Sequence, residues 1–512
     1  MSLWIFPITL AILFFIYKSR INKVPDGLKN VYTLTIYDRF ISIIKKRGPD
    51  QYYHFIKKYL ERDGFIKIWY GGRWFCLVVD NAIAKDLLSH PDIFPKLMLD
   101  EHFPNSLIAR YYGVNVVHSN GSVWRRYRNI CNPAFKSLPM HFFIEIGDKL
   151  MEMLEKIDNK PIEVRDLMHR FTLDVLGKAA FAIDFNNLED PNNVYVTAYN
   201  KVQEDIQNPY FIYFPILNYI PFLNKQRFKR VEELDNKFDK IIEQKREALV
   251  NGNTENNRKD LLDLMLKACE DPENQNLSNT ELRHNLGVFM LAGHDTTASS
   301  LATILYLLAA HKVSIINYNF YIYVANNQYH LFFIQDVQQK AREEILTVLG
   351  DDLTPSAEQH KSLKYLNMII YENLRLYPPI AILPARVTTK DIECCGNVIP
   401  TGACIQIFIY GIHHSSKLWK NPEEFLPERF ENQLREYEES GSWFGFGGGS
   451  RKCLGYNFSM IEQRIVLCLL LRKYEISLTP NSIHKDGLKI DVAYSGTMSP
   501  LPVELVFKRR NE

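Results

Sequence analysis

The chain has 512 residues, 46% hydrophobic and 23% charged, enough apolar content to bury a large core and too much for a disordered or collagen-like polymer. Sixty-one Lys and Arg stand against 59 Asp and Glu, a net charge of +2, which argues against the clustered positive field of a nucleic-acid binder. Eight cysteines without a CxxC pair exclude a disulfide scaffold and a zinc ribbon, and predict reduced thiols facing the cytosol.

Leu3 to Tyr17, LWIFPITLAILFFIY, is an almost unbroken apolar run. As a helix it covers roughly 22 Å at ~1.5 Å per residue, against a hydrocarbon core of about 30 Å. Lys18, Arg20 and Lys23 follow the run instead of preceding it, so the expectation is a retained membrane anchor over residues 1–20 and a cytosolic body over 21–512, not a cleaved signal peptide. A buried or amphipathic helix competes with that reading at this length. Val24-Pro25-Asp26-Gly27 ends the run. Phe65 to Tyr70, Gly71-Gly72 and Trp74 to Val79 predict a hairpin, and Cys404 to Tyr410 a strand. Gly147 to Ile157, Val231 to Val250, Thr280 to Ala310, Asp336 to Leu349 and Leu363 to Leu376 carry apolar residues at helical spacing. Asn251 to Asp260 reads as a polar surface loop. The fold class expected is mainly α with small β-sheets.

Phe446-Gly447-Gly448-Gly449-Ser450-Arg451-Lys452-Cys453-Leu454-Gly455, followed by a helical stretch from Tyr456 to Leu471, is the most specific signal. Ser450 stands where a third glycine of GxGxxG would be and no Gly-Lys pair exists, so a phosphate-cradling loop fails. The glycines allow close approach of backbone to a flat macrocycle, and the following helix end and backbone N–H groups would stabilise a thiolate at Cys453. The loop resembles the haem-binding loop of cytochromes P450, FxxGxRxCxG, at every fixed position. Glu372-Asn373-Leu374-Arg375 is similar to that family's ExxR and Pro427-Glu428-Arg429-Phe430 to its PERF, in the family's order.

The resemblance implies the cytochrome P450 fold, haem b with its iron held by Cys453, and a structural ion network of Glu372, Arg375 and Arg429. Ala292-Gly293-His294-Asp295-Thr296-Thr297 resembles the family's oxygen-activation motif, which implies proton delivery by Asp295 and Thr296, with His294 at a variable position. Trp124 and Arg128 fit its WxxxR pattern. With Arg386, Arg451 and the loop's Phe446 they are the implied haem contacts, the arginines and the indole serving the propionates. The implied activity is insertion of one oxygen atom from O2 into an apolar organic substrate. Electrons would come from NADPH through a separate cytochrome P450 reductase, with cytochrome b5 as a further partner and Arg125, Arg126 and Lys452 contributing to a basic docking face. The implied location is the endoplasmic reticulum membrane. Two other classes stay open: a haem-thiolate isomerase or dehydratase that does not use O2, which the Asp295-Thr296 pair disfavours, and a haem-based sensor or carrier. The stretch Val114-Asn115-Val116-Val117 is similar to fungal members.

Val313 to Gln335 departs from the family. Its 23 residues contain no Lys, Arg, Asp or Glu, and seven are Phe or Tyr. Removing them joins Ala310-His311-Lys312 to Asp336-Val337, the family's usual helix junction. Lys312-Val313-Ser314 and Phe332-Phe333-Ile334-Gln335 can be encoded as an intron donor and a pyrimidine-rich acceptor, so the segment reads as a retained intron translated in frame. A genuine surface or membrane-touching insertion is the competing reading.

Overall fold

The computed structural model describes residues 24–510 apart from 71, 137, 252–259, 271–276, 312–323, 326–327, 330–335, 351, 353, 357 and 492–495. Its longer helices are α1 (Ile36–Ile44), α2 (Pro49–Asp63), α3 (Gly121–Cys131), α4 (Met140–Ile157), α5 (Val164–Leu176), α6 (Val194–Ile206), α7 (Pro221–Val250), α8 (Asn279–Met290), α9 (Thr296–Ala310), α10 (Val337–Leu349), α11 (Lys364–Leu376) and α12 (Tyr456–Lys473). The strands of its two larger sheets are β1 (Thr33–Leu34), β2 (Phe65–Tyr70), β3 (Arg73–Val78), β4 (Ile162–Glu163), β5 (Arg386–Val387), β6 (Cys404–Ile407), β7 (Tyr474–Leu478) and β8 (Glu504–Arg509). β1-β2-β3-β6-β5 form one sheet and β7-β8-β4 another.

Period sets the layers. α9 is buried on nearly every face, because Leu301, Ala302, Ile304 and Leu305, which point in different directions around the helix, are all fully buried. Phe143 of α4, Leu167 and Phe171 of α5, Ile369 of α11 and Leu467 of α12 join it in one large core. The first sheet has its own cluster, in which Phe65, Cys76, Val78, Ile405 and Ile407 alternate inward. β2 and β3 pair Phe65 with Val78 through Tyr70 with Arg73, the expected hairpin within one residue. Gly72, at φ +82°, supplies the left-handed turn conformation that side chains resist.

Tertiary contacts shift three of the expected boundaries. The strand foreseen over Cys404 to Tyr410 stops at Ile407, and Ile409–His413 forms a helical turn. That turn buries His413, whose Nε2 accepts from the Phe444 N–H at 2.8 Å while Nδ1 lies 3.1 Å from the Arg375 carbonyl, contacts that outweigh β propensity. The helix foreseen over Val231 to Val250 begins at Pro221, a residue suited to a first turn. The helix foreseen over Thr280 to Ala310 is continuous in course, but Leu291–Asp295 is a π turn between α8 and α9.

Residues 1–20, expected as an anchor, lie outside the described residues. Among the described residues no helix is long and apolar enough to cross a membrane. Of segment 313–335 only Val324–Ala325 and Gln328–Tyr329 are described, as a short antiparallel pair. The chain on its two sides is held together: Gln338 Nε2 of α10 donates to the Leu308 carbonyl of α9 at 3.1 Å.

Candidate active site

Between the first sheet and the helical core lies a cavity of ≈ 1150 Å³, whose lining includes Phe446, Arg451 and Cys453 of the glycine-rich loop and Ala292, Asp295 and Thr296 of the helical segment. The glycine-rich loop reaches the cavity by a tight path. The Cys453 N–H donates to the Phe446 carbonyl at 3.0 Å and closes the loop. Gly449 has φ +62°, and a Cβ there would stand 2.2 Å from the Leu88 carbonyl oxygen, so no other residue fits. Phe446 is fixed edge-on against Trp443 and Tyr456.

The sequence suggests that the helix end beside Cys453 favours a thiolate, and the surroundings oppose that. Cys453 is open to the cavity, yet the surrounding protein pushes its thiol up by desolvation, and the Gly455 backbone, Arg128 and Lys452 only partly offset it. A metal bound at this sulfur would favour its thiolate form.

A cationic cradle lines the same cavity. Arg451 stacks on the Trp124 ring with its carbon 3.9 Å from the centroid, and its Nε and Nη1 are buried without a hydrogen-bond partner. Arg386 donates from Nη1 to the Phe94 carbonyl at 2.6 Å, while its Nη2 is likewise orphaned. Burial, and for Arg451 also the repulsion of Arg386 and Arg128, lowers both guanidinium groups to about 10. Lys96 is pushed well down by burial, then by Arg386 and Arg451, and burial and Lys96 take His118 to about 3. Buried donors and unbalanced positive charge of this kind fit the carboxylates of a haem, whose flat face the glycine loop can approach. Arg128 lines the cavity and donates to the Lys452 carbonyl at 3.3 Å, and Trp124 serves Arg451 through its ring face. Lys96 and His118 were not legible in the sequence: they lie outside its motifs, and the pairing of Lys96 with Arg386 across the sheet edge exists only in the fold.

The π turn also lines the cavity. Gly293 is demanded by α5, because a Cβ there would meet the Leu176 side chain at 2.7 Å. The extra residue of the turn leaves carbonyls out of the helical ladder, and Thr296 donates its hydroxyl to the Ala292 carbonyl at 2.8 Å. Asp295 gathers two neighbours that the motif did not announce, His169 of α5 and Tyr199 of α6, beside the motif's own His294.

Away from the cavity wall, Glu372 and Arg375 are both 0% exposed. Arg375 Nε and Nη2 donate to the two Glu372 oxygens at 2.7 and 2.9 Å, and Arg429 Nε adds a third bond at 3.1 Å. The remaining Arg375 donors go to the His413, Pro422 and Glu424 carbonyls, so the trio ties three loops to α11.

The cytochrome P450 family model matches residues 35–314 and 328–500. The chain belongs to the cytochrome P450 family. It is 28% identical to cytochrome P450 3A29 of Sus scrofa over 84% of this chain and 82% of the relative. It is 30% identical to cytochrome P450 3A7 of Homo sapiens over 69% and 67%, and 26% identical to the cytochrome P450 monooxygenase xanG of Aspergillus fumigatus over 91% and 85%. This P450 is a monooxygenase whose cofactor is haem b with its iron, and it works with a redox partner on apolar substrates.

Proposed function

We propose that this P450 inserts one oxygen atom of O2 into an apolar organic substrate with electrons from NADPH, delivered by a separate cytochrome P450 reductase and, as a second donor, cytochrome b5. The observation that carries this is that Cys453, Asp295 and Thr296 all line one largely apolar cavity. Haem held there supplies the oxygen-activating chemistry, with thiolate ligation favouring O–O cleavage.

The chain's own residues divide the remaining tasks. Cys453 would hold the iron through its sulfur, and Arg128, Arg386 and Arg451, with Trp124 beneath Arg451, would hold the propionates. Phe446 packs at the ligand loop. Thr296, the first residue of α9 after the π turn, positions a water at its hydroxyl, and Asp295 moves protons to that water. Glu372, Arg375 and Arg429 stiffen the side of the fold that carries the cysteine loop. For the docking face, Arg125 is exposed, whereas Arg126 pairs with Glu281 and Lys452 with Glu438, so Arg125 contributes more than the other two.

Residues 1–20 serve as an N-terminal anchor in the endoplasmic reticulum membrane, with the body cytosolic. Exposed apolar residues on α1 (Tyr37 at 71%, Ile44 at 60%) and near the start of α7 (Tyr219 at 58%, Phe222 at 79%) support contact with a lipid surface. Residues 313–335 are a retained intron. In support, the family match leaves out 315–327, and α9 and α10 are already bonded to one another on either side.

The test is a carbon monoxide difference spectrum of the reduced protein. The red-shifted Soret band of thiolate ligation is expected, and Cys453→Ser abolishes it; a band that persists in the variant removes Cys453 from the assignment. NADPH- and O2-dependent product formation with added reductase then separates the monooxygenase from an isomerase, which turns over without either.

A further inference from the structure

Asp295 sits at the centre of a small ionisable cluster. Its Oδ1 lies 2.9 Å from Nε2 of His294 and 3.2 Å from Nδ1 of His169, and its Oδ2 accepts from the Tyr199 hydroxyl at 3.1 Å. Two imidazole nitrogens thus stand within ion-pair distance of one oxygen, and the Tyr199 hydroxyl donates to the other. Positive charge beside the carboxylate and a donor on it favour its ionised form.

The second ring nitrogen of His294 fixes that side chain's charge. Nδ1 lies 2.5 Å from the Met290 carbonyl oxygen, and a carbonyl only accepts, so Nδ1 carries a hydrogen. A neutral ring would then turn a lone pair on Nε2 toward the Asp295 oxygen, two acceptors face to face. At 2.9 Å, beside a carboxylate that its neighbours hold ionised, that contact is attractive only with Nε2 protonated, which makes His294, only 3% exposed, an imidazolium.

The electrostatic balance runs the same way. Burial would push His294 down, and the Asp295 carboxylate, followed by the Met290 carbonyl, reverses this to a net rise. Burial would push Asp295 up, and His294 and His169 hold it far below the usual carboxylate range. The other titratable groups facing the cluster are Tyr199 on α6 and Tyr111 and Tyr112 on the short helix Leu107–Tyr112. Burial raises all three tyrosines, so they stay neutral and do not compete for the charge.

We propose that the proton store of the oxygen-activation segment is the histidine pair His294 and His169, and that Asp295 is a standing carboxylate through which their protons pass. The purpose of the store rests on the monooxygenase reading above; the charge state of His294 does not. In the step, the Nε2–H bond of His294 breaks as an O–H bond forms on Asp295. That proton leaves for water in the cavity beside Thr296, which restores the carboxylate. His169, with 27% of its side chain exposed and lining the cavity, takes a proton from solvent and returns it through Oδ1 to Nε2. One proton moves from solvent into the cavity, and no electrons change hands.

The experiment uses full-length, haem-loaded ferric protein labelled with ¹⁵N in the histidine rings. One histidine is expected with both nitrogens protonated at pH 7 and remaining so well above the ordinary histidine range. His294→Asn removes that signal, and Asp295→Asn returns it to a singly protonated ring. A His294 ring that is singly protonated at pH 7 overturns the proposal, whatever the activity. In turnover with NADPH and reductase, His294→Asn loses on the order of a hundredfold in the rate of product formation, with reducing equivalents appearing as peroxide. His169→Gln keeps the doubly protonated His294 signal but slows product formation, with a larger solvent isotope effect. Unchanged rate and isotope effect in His169→Gln remove His169 from the route. If the NMR signature is present but no oxygen is consumed, the monooxygenase reading fails and the imidazolium stands; normal oxygenation without the signature fails the proposal alone.

Discussion

Removing the Glu372 carboxylate tests whether the buried trio acts by charge. Glu372 carries one negative charge and Arg375 and Arg429 one positive charge each, so the set has a net single positive charge while paired. Glu372→Ala leaves two guanidinium groups with no anion and takes the acceptor from Arg375 Nε and Nη2, Arg429 Nε and the Leu426 N–H. Arg375 keeps the His413, Pro422 and Glu424 carbonyls, which soften the loss without neutralising it. Breaking such a pair costs about 3 to 5 kcal/mol, a large part of the ~5–15 kcal/mol stability of a folded protein. Glu372→Gln preserves shape and one acceptor but not the charge, and is expected to lie within about 1 kcal/mol of Glu372→Ala. The assay is urea unfolding followed by circular dichroism, with Soret absorbance recording haem retention over the same range. Both variants are expected to unfold early and to lose haem. A Glu372→Gln protein as stable as the parent would refute the charge argument, and a Glu372→Ala protein within 1 kcal/mol of the parent would refute the role of the trio.

Thr296→Ala is expected to retain haem and the thiolate Soret band while product per NADPH falls and peroxide rises, measured by coupled assay. Arg451→Ala removes two orphaned donors from the cradle and is expected to weaken haem retention, read by transfer of haem to apomyoglobin. Gly449→Ala meets the Leu88 carbonyl and is expected to yield protein with little bound haem, scored by the ratio of Soret to protein absorbance. His294 has its pKa raised above 6.5 in the folded state, so its stabilisation is complete below about 6.5 and is lost as pH rises through the higher folded value. His294→Asn should therefore flatten the alkaline limb of the stability profile, followed by thermal unfolding between pH 6 and 10. Native peptides by mass spectrometry are expected to join Lys312 to Asp336; a peptide from within 313–335 would retire the intron.

The sequence carried the residues whose chemistry is local. The cysteine loop is legible because glycines, arginine and cysteine must follow one another within a single turn of chain, and Trp124 with Arg128 because four residues on a helix share a face. The Glu372 pair was legible for the same reason, although its third member lies on a distant loop and was found only by motif. Lys96, His118, His169 and Tyr199 were not, since each reaches the cavity from a different element and nothing in its own neighbourhood marks it. His294 was visible but unassigned: its role depends on the Met290 carbonyl one turn back and on the carboxylate beside it, a geometry that residue order alone does not contain. The sheet edge at Tyr410 was missed because burial of His413 decides the backbone there.

The π turn over Leu291–Asp295 has a consequence for how this gene can change. A helix advances about 100° per residue, and the inserted residue lets α8 and α9 each keep a fully packed face although their phases differ. Loss of any one codon in this stretch would restore an ordinary helix at little local cost. It would also swing Asp295 and Thr296 about a quarter-turn off the cavity or drive α9 out of register with its neighbours. A point substitution here can be tolerated and later reversed; a single-codon deletion cannot be repaired by any side chain. The length of this stretch is therefore expected to be held more strictly than its composition, and codon-deletion scanning of residues 279–310 with haem retention as readout would show the sharpest loss at its centre.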